Sequence, residues 1–481
     1  MSRADSQRSQ GRSPDGLFYA YLALLVWLPL PLASARAWAW AVMEIWVYAL
    51  AALRLWQYAR RGAALTPAFV RARPALALLG LWLLYGLVQI LPLPPELVGA
   101  ISPNALAVHA PLAELGGAAS GGWIALSIDP YASAVAWLKG LAYALVFALA
   151  LLLIDSRGRL RTLAYTLVWS ALFQAAYGSF MTLSGIEYGF FHEKWAYLGV
   201  ATGTFVNRNH LAEYLVLGLA VGIGLLIADL GGDSGPKTAR ERLRGLIRLL
   251  FSRKARLRLY LAAMVIALVL THSRMGNTAF FASMLVAGAA ALALARNATR
   301  STVILLASLV IIDLFLLGAW FGIDKVAERI EQTSMAREDR VDVTRYGFSM
   351  WRDYALTGAG GGSFYAGFPQ YRGPEVVSLY YHAHNDYIQF LAEYGAIGAT
   401  LLGGLVLASL AAAILALRRR RDPLMRGMAF SATMGIVAML IHSTVEFNLQ
   451  IPATAATFMA ILALAWIALG LESGNSEREK R

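Results

Sequence analysis

The residues able to do chemistry in this chain are few, and they gather in short polar stretches beside long apolar ones. The densest is HAHNDYIQFLAEYGAIG, residues 382–398, which sets His382, His384, Asn385 and Asp386 immediately before an apolar helical run. Asn385 or Asp386 has the type of a helix N-cap, whose side-chain oxygen accepts an N–H that the first turn leaves unbonded. His384 then projects near the N-terminal end of that helix. An imidazole in a polar cavity can act as a general base or hydrogen-bond partner for a hydroxyl. Metal binding by His382, His384 and Asp386 is the weaker reading. Their i, i+2, i+4 spacing suits a strand or bent loop, and no second His/Asp/Glu cluster accompanies them; Asp339 and Asp342 in DRVD are weaker still. Neither a metal nor another cofactor is expected.

Two other stretches carry arginines. GTFVNRNHLAEYL, 203–215, puts Asn207, Arg208, Asn209 and His210 at the start of an apolar helix. One reading is capping and interface anchoring. The other makes Arg208 part of an anion site, because exposed N–H groups and the helix dipole favour negative charge there. THSRMGN, 271–277, holds Arg274 on a very short turn between two apolar runs. It is either a snorkelling anchor or a rigid, permanently charged clamp for a diphosphate. RYGFSMWRDYALTGAGGGSF, 345–364, opens with Arg345 and closes on glycines. No Gly-Lys-Ser/Thr follows, so these are tight turns and not a nucleotide loop.

The elements that position these stretches are membrane helices. The chain has 481 residues, 58% of them hydrophobic. About twelve apolar runs approach the roughly 20 residues that span a bilayer: 17–34, 38–56, 74–92, 133–154, 160–183, 210–231, 257–272, 275–295, 301–322, 395–417, 425–445 and 451–471. The net charge of +13 does not point to nucleic acid, because the cations lie mostly in alternate loops. Arg3, Arg8 and Arg12 precede the first run, and Arg157, Arg159 and Arg161 follow the fourth. Nine Lys/Arg lie between Lys237 and Arg258, whereas 93–132 has none. Both termini are therefore expected in the cytoplasm. The first run lacks a convincing cleavage site and is read as a retained helix. Loop 232–258 reads as an amphipathic helix on anionic lipid. The absence of cysteine removes disulfide and thiol chemistry.

This topology turns 184–209, 271–277, 323–394 and 446–452 to the outer face together. The largest, 323–394, holds seven Lys/Arg: Lys325, Arg329, Arg337, Arg340, Arg345, Arg352 and Arg372. An anionic substrate is one physical reason for cations there.

In this order the motifs resemble the bacterial O-antigen ligase and O-antigen polymerase superfamily, over about residues 160–470. His384-Asn385, nine residues, Gly395, two residues and Gly398 fit the family's histidine motif; GTFVNRNHLA, SRMG and the LTGAGGGSF segment are similar to its other motifs. The resemblance implies an all-α polytopic membrane protein of GT-C type with about twelve helices. Its expected parts are a cytoplasmic tail 1–16, helices 1–9 in 17–322, a large periplasmic loop 323–394 with the histidine motif, helices 10–12 in 395–471 and a cytoplasmic tail 472–481. It also implies a bacterial inner-membrane enzyme whose site faces the periplasm. A glycan on undecaprenyl diphosphate passes, without metal and with inversion, to a hydroxyl of another lipid-linked repeat, of lipid A core or of a protein. His384, Arg274 and Arg208 would be catalytic. Arg345, Asn207, Asn209, His210, His382, Asn385 and Asp386 would bind substrate. The tail HSTVEFNLQIPATAATF, 442–458, resembles the exopolysaccharide polymerase branch, so polymerisation is the first expectation and ligation the second. A transporter is the reading of another class. It would use ionisable residues near the midplane, for which Glu44 and Asp313, with Lys139 nearer the outer end, are candidates. No repeat relates them, and one-sided polar signals suit a transferase better.

Overall fold

The computed structural model describes residues 15–62, 65–114, 122–190, 192–229, 253–294 and 340–471. Its principal helices are α1 (Asp15–Trp27), α2 (Ala37–Arg61), α3 (Arg73–Ile90), α4 (Pro130–Leu153), α5 (Arg157–Ser184), α6 (Arg208–Asp229), α7 (Arg253–Leu270) and α8 (Arg274–Leu294). They continue with α9 (340–353), α10 (Asp386–Arg419), α11 (Pro423–His442) and α12 (Pro452–Gly470). The strands among the described residues form one two-stranded hairpin, Tyr188–Gly189 with His192–Glu193.

Eight of these helices are long and apolar enough to cross a membrane: α2, α3, α4, α6, α8, α10, α11 and α12. The chain is an all-α, multi-pass membrane protein. Of the other runs expected to span, the first is the 13-residue α1, too short to qualify. The fifth and seventh are α5, whose apolar run is interrupted by Gln174 and several Thr, Ser, Tyr and Gly residues, and α7, whose first two turns are basic; both pack against α6. The ninth, 301–322, lies outside the described residues, as do the tails 1–14 and 472–481, most of loop 232–258, Asp313 and residues 323–339 of the long loop with Lys325, Arg329, Arg337 and Asp339.

Helices α6, α11 and α12 are the centre of the bundle, and every residue of α12 is buried. Lipid tails are as apolar as leucine, so helices in a bilayer associate through close packing and interhelical hydrogen bonds. Here α6 and α11 meet backbone to backbone. A Cβ on Gly224 would come 2.3 Å from the carbonyl oxygen of Gly427, and one on Gly427 would come 2.2 Å from that of Gly224.

The two ends of the bundle differ in chemistry. At one end, the start of α5 joins the starts of α1 and α11 and the end of α6. Arg159 pairs with Asp15 at 2.7 Å, Arg161 with Asp229 at 3.1 Å, and Arg157 with Asp422. At the other end, where α6, α8 and α10 begin and α11 stops, a second apolar core lies outside the bundle. It joins Val98, Ala105 and Leu126 to Val343, Met350, Phe364, Phe368 and Ala383. Segment 93–128, uncharged by Lys or Arg, is therefore a structural partner of the long loop, which the sequence reading did not anticipate.

Helix α10 is 34 residues long but broken at Gly395, with φ 62° and ψ −172°. The glycine-rich turn docks on the break: Ala396 N–H donates to Ala355 O at 2.8 Å, Ala359 N–H to Ala392 O at 2.8 Å, and Gly360 N–H to Glu393 O at 2.9 Å. A Cβ on Gly395 would lie 2.2 Å from Leu356 O, and one on Gly358 would lie 2.3 Å from Glu393 O. Only glycine satisfies both the positive φ and this approach. The break separates a site helix, 386–394, from the long apolar stretch that was expected to begin at 395.

Candidate functional site

Asn385 is the N-cap of α10. Its Oδ1 accepts from Ile388 N–H at 3.1 Å, and its Nδ2 donates to Thr444 O at 2.9 Å. Asp386, the alternative cap, is buried and braces the turn after α11. It accepts from Ser443 Oγ at 2.9 Å and Leu449 N–H at 3.1 Å, while its own N–H donates to Ser443 O and Glu446 O at 3.0 and 3.2 Å. These bonds hold the 382–386 turn against residues 443–449, and they place Glu446 beside the histidines.

Glu446 is the centre of the site, and its side chain is 1% exposed. One oxygen, Oε1, accepts from Asn209 Nδ2 at 2.5 Å and Arg340 Nη1 at 3.0 Å. The other, Oε2, lies 3.5 Å from His384 Nδ1 and 3.7 Å from His210 Nε2. Burial would raise the Glu446 carboxyl, but the two histidines and the Arg340 charge outweigh it and hold it well below the usual carboxylate range. Tyr197 belongs to the same neighbourhood. Burial and the Glu446 charge raise its phenol, against the pull of Arg340 and Arg208, and the Arg208 guanidinium lies 5.8 Å from its ring centre.

Three of the seven histidines meet at Phe447. His382 stacks on it at 4.6 Å, while His210 and His384 present edges at 4.6 and 4.7 Å. His384 itself has φ 51°, a left-handed conformation that non-glycine residues adopt at a cost and that recurs at functional sites. Gln389 settles the state of His382. Its Oε1 accepts from Ala383 N–H at 2.9 Å, so its amide nitrogen must face His382 Nδ1, also at 2.9 Å. That ring nitrogen is therefore an acceptor and the proton resides on Nε2. Burial first, then the charges of His210, Lys139 and His384, push the His382 imidazole down to about 3.

The arginines separate into two groups. Arg208 is the first residue of α6 and Arg274 the first of α8. Asn207 caps α6, its Oδ1 accepting from Asn209 N–H at 2.8 Å, and Ser273 Oγ caps α8 through Gly276 N–H at 3.1 Å. A Cβ on Gly276 would lie 2.5 Å from Ala212 Cβ. The two helices thus cross at Gly276 and Ala212, within about one 5.4 Å turn of both arginines. Arg274 is exposed and makes no ion pair with the described residues. Arg345 does not join them. Its side chain is 61% exposed and is taken up by Glu375 at 2.9 Å and Asp342 at 3.1 Å. Arg340, five residues earlier, is the loop arginine among the described residues that reaches the cluster.

Of the sequence candidates, the structure brings His210, Asn209 and His384 together around Glu446, which the sequence did not single out. The available signal was an ionisable side chain in EFNLQIP, a few residues beyond a membrane helix. Among the described residues no three His, Asp or Glu side chains converge in metal-binding geometry. Lys139, considered for a transport site, lies over the Trp40 ring at 4.6 Å.

Residues 259–403 match the family model described as O-Antigen ligase. Over that span the chain is similar to the O-antigen ligase family. The matched span includes Arg274, Arg345, His382, His384, Asn385 and Asp386; Asn207, Arg208, Asn209, His210 and Glu446 lie outside it. The matched span therefore holds only part of the histidine cluster, which α6 and the turn after α11 complete. No curated protein matches the chain.

Proposed function

We propose that this protein is a glycosyltransferase of the bacterial inner membrane that moves a glycan from undecaprenyl diphosphate to an acceptor hydroxyl at the periplasmic face. The observation that supports the reading is His384 beside a buried carboxylate that also bonds Asn209 at the start of α6, which begins in Arg208 and is crossed near that end by α8, which begins in Arg274. His384 takes the proton of the acceptor hydroxyl. The hydroxyl oxygen forms a bond to the anomeric carbon as the bond from that carbon to the diphosphate oxygen breaks, with inversion. The lipid diphosphate departs with its added negative charge. Arg208 and Arg274, which stay protonated, and the N–H groups of their helix starts stabilise that charge where it develops. His382, neutral and fixed by Gln389, together with Asn209 and His210 shapes the acceptor side, and Asn385 and Asp386 hold the turn. No resident metal or cofactor is needed for this chemistry, and the fold is of GT-C type.

The favoured acceptor is another lipid-linked repeat, which makes the enzyme a polymerase; lipid A core or a protein hydroxyl would make it a ligase or an O-oligosaccharyltransferase. The decisive assay uses purified protein in lipid with a lipid-diphosphate-linked repeat. A ladder of longer lipid-linked glycans, absent in His384→Ala, supports polymerisation. Product formed only with added lipid A core or an acceptor protein reassigns the acceptor. No transfer to any of the three removes the glycosyltransferase reading.

A further inference from the structure

The Glu446 carboxylate is divided in its duties. Oε1 is fully engaged by two donors, Asn209 and Arg340. Oε2 is buried without a hydrogen bond, and so are the two nitrogens that face it, His384 Nδ1 and His210 Nε2. At 3.5 and 3.7 Å they are beyond a formed bond, and catalytic hydrogen bonds are often long before substrate arrives. An ionised carboxylate only accepts, so the nitrogens that turn towards it must carry protons. A proton on His384 Nδ1 leaves the lone pair on its Nε2. The two rings differ in access: the His384 side chain is 16% exposed and that of His210 is 5%. His384 can meet a hydroxyl, whereas His210 is packed behind it.

We infer that Glu446 is a positioning residue: its Oε2 sets the His384 tautomer, placing the proton on Nδ1 and the basic lone pair on Nε2, while His210, Asn209 and Arg340 hold the carboxylate in place. This rests on the transferase reading only for its catalytic consequence; the tautomer itself is a property of the resting protein. The charged and titratable groups around the carboxylate are His210 and Arg208 from α6, Arg340 from α9, His384 and Asp386 from the turn into α10, His442 from α11, and Tyr197.

Glu446→Gln makes a sharp test because Asn209 and Arg340 are both donors. They hold the amide oxygen in the Oε1 position, so the amide NH₂ must face the imidazoles and donate to His384 Nδ1. The variant should invert the tautomer and move the His384 proton to Nε2. Nitrogen-15 spectra of histidine-labelled protein in lipid, with the His384 signals assigned by their loss in His384→Gln, read this directly. The wild type should show a protonated Nδ1, Glu446→Gln a protonated Nε2, and Glu446→Asp, which keeps the charge, the wild-type pattern. In the transfer assay Glu446→Gln should lose about 100-fold in kcat, with donor KM within about twofold. Glu446→Asp should recover part of the rate. A wild-type proton on Nε2 overturns the inference even if Glu446→Gln fails to fold. Spectra unchanged in Glu446→Gln, or an undiminished rate in that variant, overturn it equally. A wild type inactive towards every acceptor would count against the transferase reading alone, because the spectra decide the tautomer independently.

Discussion

At the scale of single residues, the proposed site is two cationic helix starts and one accessible imidazole. Arg208→Ala and Arg274→Ala should each lower kcat by about 100-fold, the order expected when one donor to a developing anion is lost. His384→Ala should cost at least as much. Lipid-linked product measured on protein that still elutes as a single species checks all three; wild-type rates in either arginine variant would remove that arginine from the leaving-group site. His382 gives a prediction of a different kind. Its folded value near 3 lies below the ordinary value of about 6.5. Between these values the unfolded chain binds the extra proton, so stability rises with pH through that window and is flat above it. His382→Gln should therefore flatten the decline in melting temperature between about pH 6 and pH 4. An unaltered slope would show that the ring is not held neutral. His382 also contributes no titration near neutral pH, so any activity limb there must come from another group.

At the scale of elements, the break in α10 carries the histidine motif. Gly395 combines a positive φ with a carbonyl oxygen 2.2 Å from where a Cβ would stand. Gly395→Ala should destabilise the protein by at least about 2 kcal/mol and abolish activity by shifting 386–394 relative to α11. Thermal unfolding in detergent, together with the transfer assay, tests this. A fully stable and active variant would mean the break tolerates a side chain. Gly276 has a related role, since it lets α8 approach α6 closely enough to align two cationic N-termini. These elements also explain how the spacing of the histidine motif works. Nine residues after His384-Asn385 comprise one short helix, and Gly395 ends it where the LTGAGGG turn hydrogen-bonds.

At the scale of the whole molecule, buried polar connections among the described residues bind the central helices, and two of them are testable. One is the Glu446 cluster. The other is His442 on α11 with Glu213 on α6, Nδ1 to Oε2 at 2.8 Å, both side chains wholly buried. Removing one member leaves a buried polar group without its partner, so Glu213→Ala should cost about 3–5 kcal/mol and the double replacement Glu213→Leu with His442→Phe considerably less. A double-mutant cycle on unfolding would measure the coupling, and additive losses would count against it. The absence of cysteine makes the orientation directly testable. Val377 is 83% exposed at the site end, and Arg418 is exposed at the opposite end. A membrane-impermeant maleimide should label Val377→Cys in intact spheroplasts and Arg418→Cys only after permeabilisation. The reverse pattern would turn the site to the cytoplasm.

Much of this was legible in the sequence for a physical reason. A bilayer demands long apolar helices, so hydropathy alone disclosed most of the spans and the all-α class. Helix starts demand caps and helix breaks demand glycine, so Asn385, Asn207 and the glycines of 358–362 could be read from type and spacing. What no local pattern contains is which segments meet. Segment 93–128 carries no functional signal, yet it is one side of the small second core. Arg345 and Arg340 look equivalent in the loop, but the path of α9 gives the first to Glu375 and the second to Glu446. Glu446 stands 62 residues beyond His384 in the chain, and only the close packing of α6, α10 and α11 puts its carboxylate beside two imidazoles. Residue types and their spacing determined the membrane class and the chemistry available; tertiary packing decided which groups share one desolvated space, because burial and proximity are properties of the assembled helices.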